Sequence, residues 1–214
     1  MKTKRKVCGV GINDSLTPIN KRITLPHPKG RQIQQTVWAC PIYSLWADML
    51  KRCYSVKYKA KYPTYNGCSV CDEWIHFSNF RDWVNSQDWE GKELDKDILV
   101  EGNTIYSPLT CLFVTKEVNY LFLCKRGCTK TCLMGVRLLE SGKYKASCKV
   151  GGRQVIGTPR ASGMQAHNDW KTMKIKAINL VIENQTDTRV IEALCRRVKL
   201  LEDSILNNTE IKSL

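Results

Sequence analysis

Asp95 and Asn119 are the residues of this 214-residue chain whose types and spacing come nearest to a reaction centre. The segment that holds them, ELDKDILVEGNTIYSPLTCLFVTKEVN, reads as strand, turn, strand and helix, with Thr115 as the helix cap. That order puts Asp95 on a strand and Asn119 on the helix packed across it, so both can point into one pocket. A carboxylate and an amide oxygen form a hard-oxygen set suited to Mg2+ or Mn2+, which keeps several waters and takes a substrate phosphate oxygen. Such an ion stabilises a pentavalent phosphoryl transition state and the departing 3′ oxygen. A further group must activate the attacking water, and the three histidines, His27, His76 and His167, all fall outside the segment. Spacing alone leaves a second reading open, with Asp95 a strand-end acid paired to Lys96 or Lys92 and Asn119 a helix-surface amide.

Elements on either side must position these residues. Upstream, PIYSLWADMLKRCYS is predicted helical from Tyr43, Trp46, Met49, Leu50 and Cys53, with Ser44 as N-cap. SVKYKAKYPTYNG reads as a polar loop in which Lys57, Lys59 and Lys61 alternate with Tyr58, Tyr62 and Tyr65. FSNFRDWV is a second short helix, capped by Ser78 and buried through Phe80, Trp83 and Val84. Downstream, MGVRLLE, KYKASCKV and RQVIGT are three short strands broken by turns at Ser141-Gly142 and Gly151-Gly152. A helix from Ser162 follows, its apolar stripe being Ala166, Trp170, Met173, Ala177 and Val181. A last helix carries Ile191, Leu194, Val198, Leu201 and Ile205. That seam suits packing onto the chain's own core, with a homodimer contact as the alternative.

The charge names the class of partner. Lys and Arg number 34 against 20 acids, a net charge of +14. Such a surplus suits a polyanion, because cations placed on phosphates release condensed counterions. A membrane partner is not expected, since the sequence has no long apolar run and no strongly amphipathic basic helix. No apolar core follows the basic start MKTKRKVCGV, and the 11 cysteines lie in core-like segments. Both features suit an unsecreted, cytoplasmic protein with reduced thiols. Residues 1–36 hold half of the net charge and Pro18, Pro26, Pro28 and Gly30. They are expected to form a basic arm without long regular structure, lying along a DNA backbone, with a solubilising tail as the other reading. Cys68-x-x-Cys71 is one knuckle without a second, and Cys124, Cys128 and Cys132 do not supply it, so structural zinc is not expected. Gly9-Val10-Gly11 is too short for a phosphate loop.

At this point the residues resemble a family. Leu94-Asp95-Lys96-Asp97, Gly102-Asn103, Tyr106-Ser107-Pro108, Cys111 and Asn119 look like the ββα-metal core of phage free-standing HNH homing endonucleases. Trp46, Leu50-Lys51-Arg52-Cys53-Tyr54 and Val70-Cys71-Asp72-Glu73-Trp74 fit the same pattern. Gly135-Val136-Arg137, Ser141-Gly142-Lys143-Tyr144, Gly157 and Ala166-His167-Asn168 are similar to the AP2-type DNA-binding domain. The resemblance implies an endonuclease that hydrolyses phosphodiester bonds with Mg2+ or Mn2+ held by Asp95 and Asn119. The chain departs from the family where a histidine base is common, since Lys96 stands there. The resemblance then implies Tyr106 as base, its pKa lowered by a metal or a cation such as Lys96. A core tyrosine is the other reading of Tyr106. Asp97, Asn103 and Thr110 are supporting residues, Thr110 standing where the family has its middle Asn.

The AP2 likeness implies a sheet in the major groove of double-stranded DNA. Alternation along KYKASCKV puts Lys143, Lys145, Ser147 and Lys149 on one face and Tyr144, Ala146, Cys148 and Val150 on the other. Arg137 and Arg153 are candidates for guanine edges, with the lysines, and Lys51, Arg52, Lys57 and Lys59 upstream, on phosphates. The expected fold is α+β. It has a basic arm (1–36), an HNH nuclease domain with flanking helices (37–123) and a basic linker (124–132). A three-stranded antiparallel AP2-like sheet with its helix (133–181) and a C-terminal helix (182–214) complete it. The alternative function is a DNA-binding or regulatory protein whose nuclease core has decayed.

Overall fold

This computed structural model describes residues 6–26, 30–122 and 133–214. The chain is α+β, with small sheets and six α-helices among the described residues. It divides into two compact units, Met1–Phe113 and Val114–Leu214. His27 and the expected linker with Cys124, Cys128 and Cys132 lie outside the described residues.

Among the described residues the first unit starts with a turn at residues 7–11, within the stretch expected to lack regular structure. Gly11 sits against the core because a Cβ there would come within 2.3 Å of Leu50 and 2.9 Å of Trp46. A correction follows, for β1 (Asn20–Pro26) and β2 (Gln32–Ala39) form an antiparallel hairpin where proline argued against regular structure. Pro26 is the last residue of its strand, where a missing N–H costs least. Helix α1 (Pro41–Tyr54) begins on Pro41, and the expected cap Ser44 lies inside its first turn, its hydroxyl donating to Cys40 O. The stripe Ile42, Trp46, Met49, Leu50 and Cys53 is buried, and Trp46 Nε1 donates to Trp74 O at 2.7 Å.

The polar loop expected next is a short helix, α2 (Val56–Lys61), because Ser55 Oγ accepts from Tyr58 N and caps it. After β3 (Ser69–Val70) comes α3 (Phe77–Asn85). Ser78 does not cap α3. Asp14 does so from a distance, accepting Ser78 N at 2.8 Å and Ser78 Oγ at 2.7 Å. The strand expected over ELDKDILV shrinks to β4 (Glu93–Asp95), which pairs with β6 (Leu112–Val114). Between them β5 (Ile105–Tyr106), expected in a turn, pairs parallel with β3.

The second unit opens with α4 (Lys116–Phe122), whose Val118 N–H is accepted by Thr115 Oγ1 as expected. Lys174 Nζ donates to Leu121 O, which ties α4 to its own unit. Strands β7 (Val136–Leu138), β8 (Tyr144–Val150) and β9 (Arg153–Ile156) form the antiparallel order β7-β8-β9. Helix α5 (Gly163–Ile182), capped by Ser162, packs on β8 and on α6 (Thr188–Leu206). Gly135 is forced by that packing, since its positive φ and the Trp170 ring 2.0 Å from a virtual Cβ exclude any side chain. The buried face of α6 is Val190, Ala193, Leu194, Arg197, Leu201 and Ser204. The expected seam is therefore rotated, leaving Ile191, Val198 and Ile205 half-buried.

Two polar side chains are wholly buried on α5, His167 and Lys171. His167 Nδ1 donates to Met134 O at 2.8 Å and Nε2 accepts from Ile211 N at 3.1 Å, a pattern that needs the neutral ring. Burial lowers its pKa from the ordinary 6.5, so below that value the unfolded chain binds a proton that the fold resists. The stability His167 contributes is thus present above pH 6.5 and lost as pH falls through that value toward the lower folded pKa. Urea unfolding of the wild type and His167→Asn at about pH 7.5 and pH 5 checks this. The wild type should lose more stability than the variant over that range, and equal losses would refute the assignment.

Candidate functional site

Asp95 ends β4 and turns the chain. Its Oδ1 accepts the backbone N–H groups of Asp97 at 2.8 Å and Ile98 at 2.7 Å, which is why the strand stops there. Neither Lys96 nor Lys92 is its partner, for Lys92 pairs with Asp88 and Lys96 with Asp97. Burial raises the Asp95 pKa above the ordinary carboxylate value, against the pull of those two backbone bonds. A cation at the carboxylate would reverse that penalty. The donor chemistry fits a hard divalent ion, since Oδ1 is committed to the turn, the second oxygen is the same hard ligand, and water supplies the rest. Among the described residues no group of three His, Cys, Asp or Glu side chains converges as a ligand set. Asn119 lies on α4, its N–H bonded to Thr115 O, and so belongs to the second unit while Asp95 belongs to the first.

Lys96 is 9% exposed and is held as a clip. Its Nζ donates to Asp97 Oδ1 at 2.5 Å and Asn103 O at 2.7 Å. Asn103 returns the bond, its Nδ2 donating to Lys96 O at 2.8 Å and Ile105 O at 2.7 Å. Thr110 Oγ1 donates to the same Ile105 carbonyl at 2.7 Å, so Asn103 and Thr110 together brace the loop. Tyr106 is a core residue, 2% exposed, and burial raises its pKa, opposite to what a base requires. The cation hydrogen-bonded to its hydroxyl is Arg52, while Lys96 Nζ lies 6.0 Å from its ring centre. Arg52 also lies over Tyr65, so its guanidinium faces the interior and not a phosphate, a correction to the sequence reading. Lys51 lies over the Tyr58 ring, Lys57 is exposed and Lys59 half-exposed.

The β7–β9 sheet holds the second set of candidates. Ala146 and Cys148 of β8 are buried, so the alternate residues Lys145, Ser147 and Lys149 face outward. The register sets Arg137 directly opposite Lys145 and Gln154 opposite Lys149. Gln154 Nε2 donates to Ser147 Oγ at 2.5 Å. Arg153 pairs with Val150 and falls on the opposite face from the basic stripe, which corrects its assignment. Gln154 was missed, although the signal existed, because a two-residue Gly151-Gly152 turn fixes the pairing of Val150 with Arg153 and hence of Lys149 with Gln154. Among the described residues Arg137, Lys143, Lys145 and Lys149 form no ion pair. No family model, no curated protein and no solved structure matches the chain.

Asn103→Ala removes the donors to the Lys96 and Ile105 carbonyls and should cost about 0.5–1.5 kcal/mol. Urea denaturation would measure the loss, and hydrogen exchange at Ile105 N–H, which Asn103 Oδ1 accepts at 3.1 Å, should quicken with it. Unchanged exchange would mean that the clip does not hold this loop.

Proposed function

We propose that the chain is a metal-dependent DNA endonuclease of the HNH type, which holds duplex DNA against the β7–β9 sheet. The observation that carries the DNA partner is the outward face of that sheet. Arg137 and Lys145 sit directly opposite each other with Lys149 beyond, and among the described residues none of the three is in an ion pair. Like charges across a strand pair destabilise a sheet, and a phosphate backbone is the partner that relieves them. No helix of the described residues is long and apolar enough to cross a membrane.

The nuclease part rests on the resemblance of the Asp95 segment and on the chemistry of its loop. Asp95 would hold Mg2+ or Mn2+, which supplies positive charge for the phosphate and the departing oxygen. The chain's own contribution is rigidity, because Asp95 is fixed by its turn and the turn by the Lys96–Asn103 clip. A second reading is favoured by two observations in the same loop. Lys96 is bonded to Asp97 and Asn103 where a histidine base would stand, and Tyr106 is buried with a raised pKa. These favour a DNA-binding protein that does not cut.

Plasmid and genomic-fragment cleavage with Mg2+ or Mn2+, with EDTA and with Asp95→Asn, separates the two. Asn keeps an oxygen for the turn while removing the charge, so fold and DNA binding should persist. Cleavage should fall by about 10²-fold or more. On gels, Lys145→Ala and Lys149→Ala should each lower the slope of log affinity against log salt by about 0.9. Tight salt-sensitive binding with intact DNA in every lane would establish the non-cutting reading.

A further inference from the structure

The β1–β2 hairpin stands apart from both candidate regions. Residue after residue along both strands is exposed, so neither face is covered by another layer of its unit. Its register divides the side chains into two faces. Arg22 pairs with Thr36, Thr24 with Gln34 and Pro26 with Gln32, which gathers Arg22, Thr24, Gln32, Gln34 and Thr36 on one side. Ile23, Leu25, Ile33 and Gln35 occupy the other. Residues 20–39 also carry Lys21, Lys29 and Arg31 and no acid.

We propose that this hairpin is a second DNA-contacting element, a two-stranded ribbon that enters the major groove with its Arg22–Gln34 face toward the base edges. The proposal rests on the DNA-binding function above and adds sequence reading to it. A major groove about 12 Å wide admits a two-stranded ribbon. Seven residues of strand span roughly 23 Å, on the order of seven base pairs. Glutamine matches adenine, arginine matches guanine and threonine serves either, so the polar face holds side chains that read bases and not only phosphates. Gln34 Nε2 donates to Thr24 Oγ1 at 2.7 Å, which orients the amide before any base arrives. Lys21 and Arg31 lie at opposite ends of the ribbon and suit the phosphate rails.

Charge complementarity is what selects DNA over a second copy of the chain. Two such hairpins would bring like charges together. The apolar side chains the hairpin exposes are Ile23, Leu25, Ile33, Val37 and Trp38, each 39–48% exposed. Five apolar side chains are few against the roughly 20–30 residues per partner of a stable interface.

The test selects binders from random 30-base-pair duplexes with the full chain and with the charge-neutral double variant Gln32→Ala/Gln34→Ala. The wild type should enrich a motif, and the variant should lose roughly 5- to 150-fold of the preference at part of it, with its salt dependence unchanged. The same motif enriched equally by both proteins would overturn the ribbon. So would wild-type binding without any sequence preference, though the DNA-binding function would stand. Failure of the wild type to retain duplex even at low salt would remove both. Light scattering is run beside it, and a dimer abolished by Ile33→Lys would overturn the ribbon in favour of self-association.

Discussion

One ammonium group organises the second unit. Lys171 Nζ is closed off from solvent, and its three donors meet Asn168 Oδ1, Ser204 O and Thr209 O. None of these partners is a carboxylate, so the charge is held by carbonyl dipoles at the C-terminal end of α6. Burial pulls the lysine below its ordinary pKa, and the arrangement works only while every acceptor stays in place. Asn208 adopts a positive φ there, which lets Thr209 N reach Ser204 O and close the helix end. His167, one turn before Lys171 on α5, joins the Met134 carbonyl to Ile211 N–H. The helix behind the basic sheet is therefore fixed at two successive turns by polar bonds that no solvent can replace.

The first unit solves the same problem with aromatic rings. Trp46, Trp74, Phe77 and Phe80 are buried around one another, and Trp46 finds its single hydrogen bond on the Trp74 carbonyl. The N-terminal segment joins this core through Gly11, and Asp14 then caps the start of α3. A sequence reading that treats this segment as a charged arm counts its lysines and overlooks what a glycine and an aspartate do at close range.

Legibility followed the range of the interactions. The β7–β9 sheet was readable because alternation and two glycine turns are local, and both survive in the structure. The Thr115 cap and the helix start at Ser162 were readable for the same reason. Ser44 and Ser78 misled because a hydroxyl near a helix start can face its own backbone or a distant acid, and composition does not say which. In the Asp95 loop the residues worth attention were named, but their partners were not. Arg52 in place of Lys96 at the Tyr106 hydroxyl is a tertiary fact, while the Asp95 turn is local but competes with strand pairing for the same residue. The α6 seam slipped for a related reason, since Arg197 and Ser204 are buried polar residues that hydrophobic periodicity discounts.

The cross-strand pair of Arg137 and Lys145 bears on how such a chain evolves. Isolated from any partner, the sheet would gain from an acid at either position, as opposite charges across a ladder contribute roughly 0.2–1 kcal/mol. The same exchange would subtract from its attraction to a polyanion. Selection for thermal robustness and selection for grip therefore pull this one pair in opposite directions. Were the proposed DNA partner lost, a lineage would be expected to drift toward salt bridges at these two positions first.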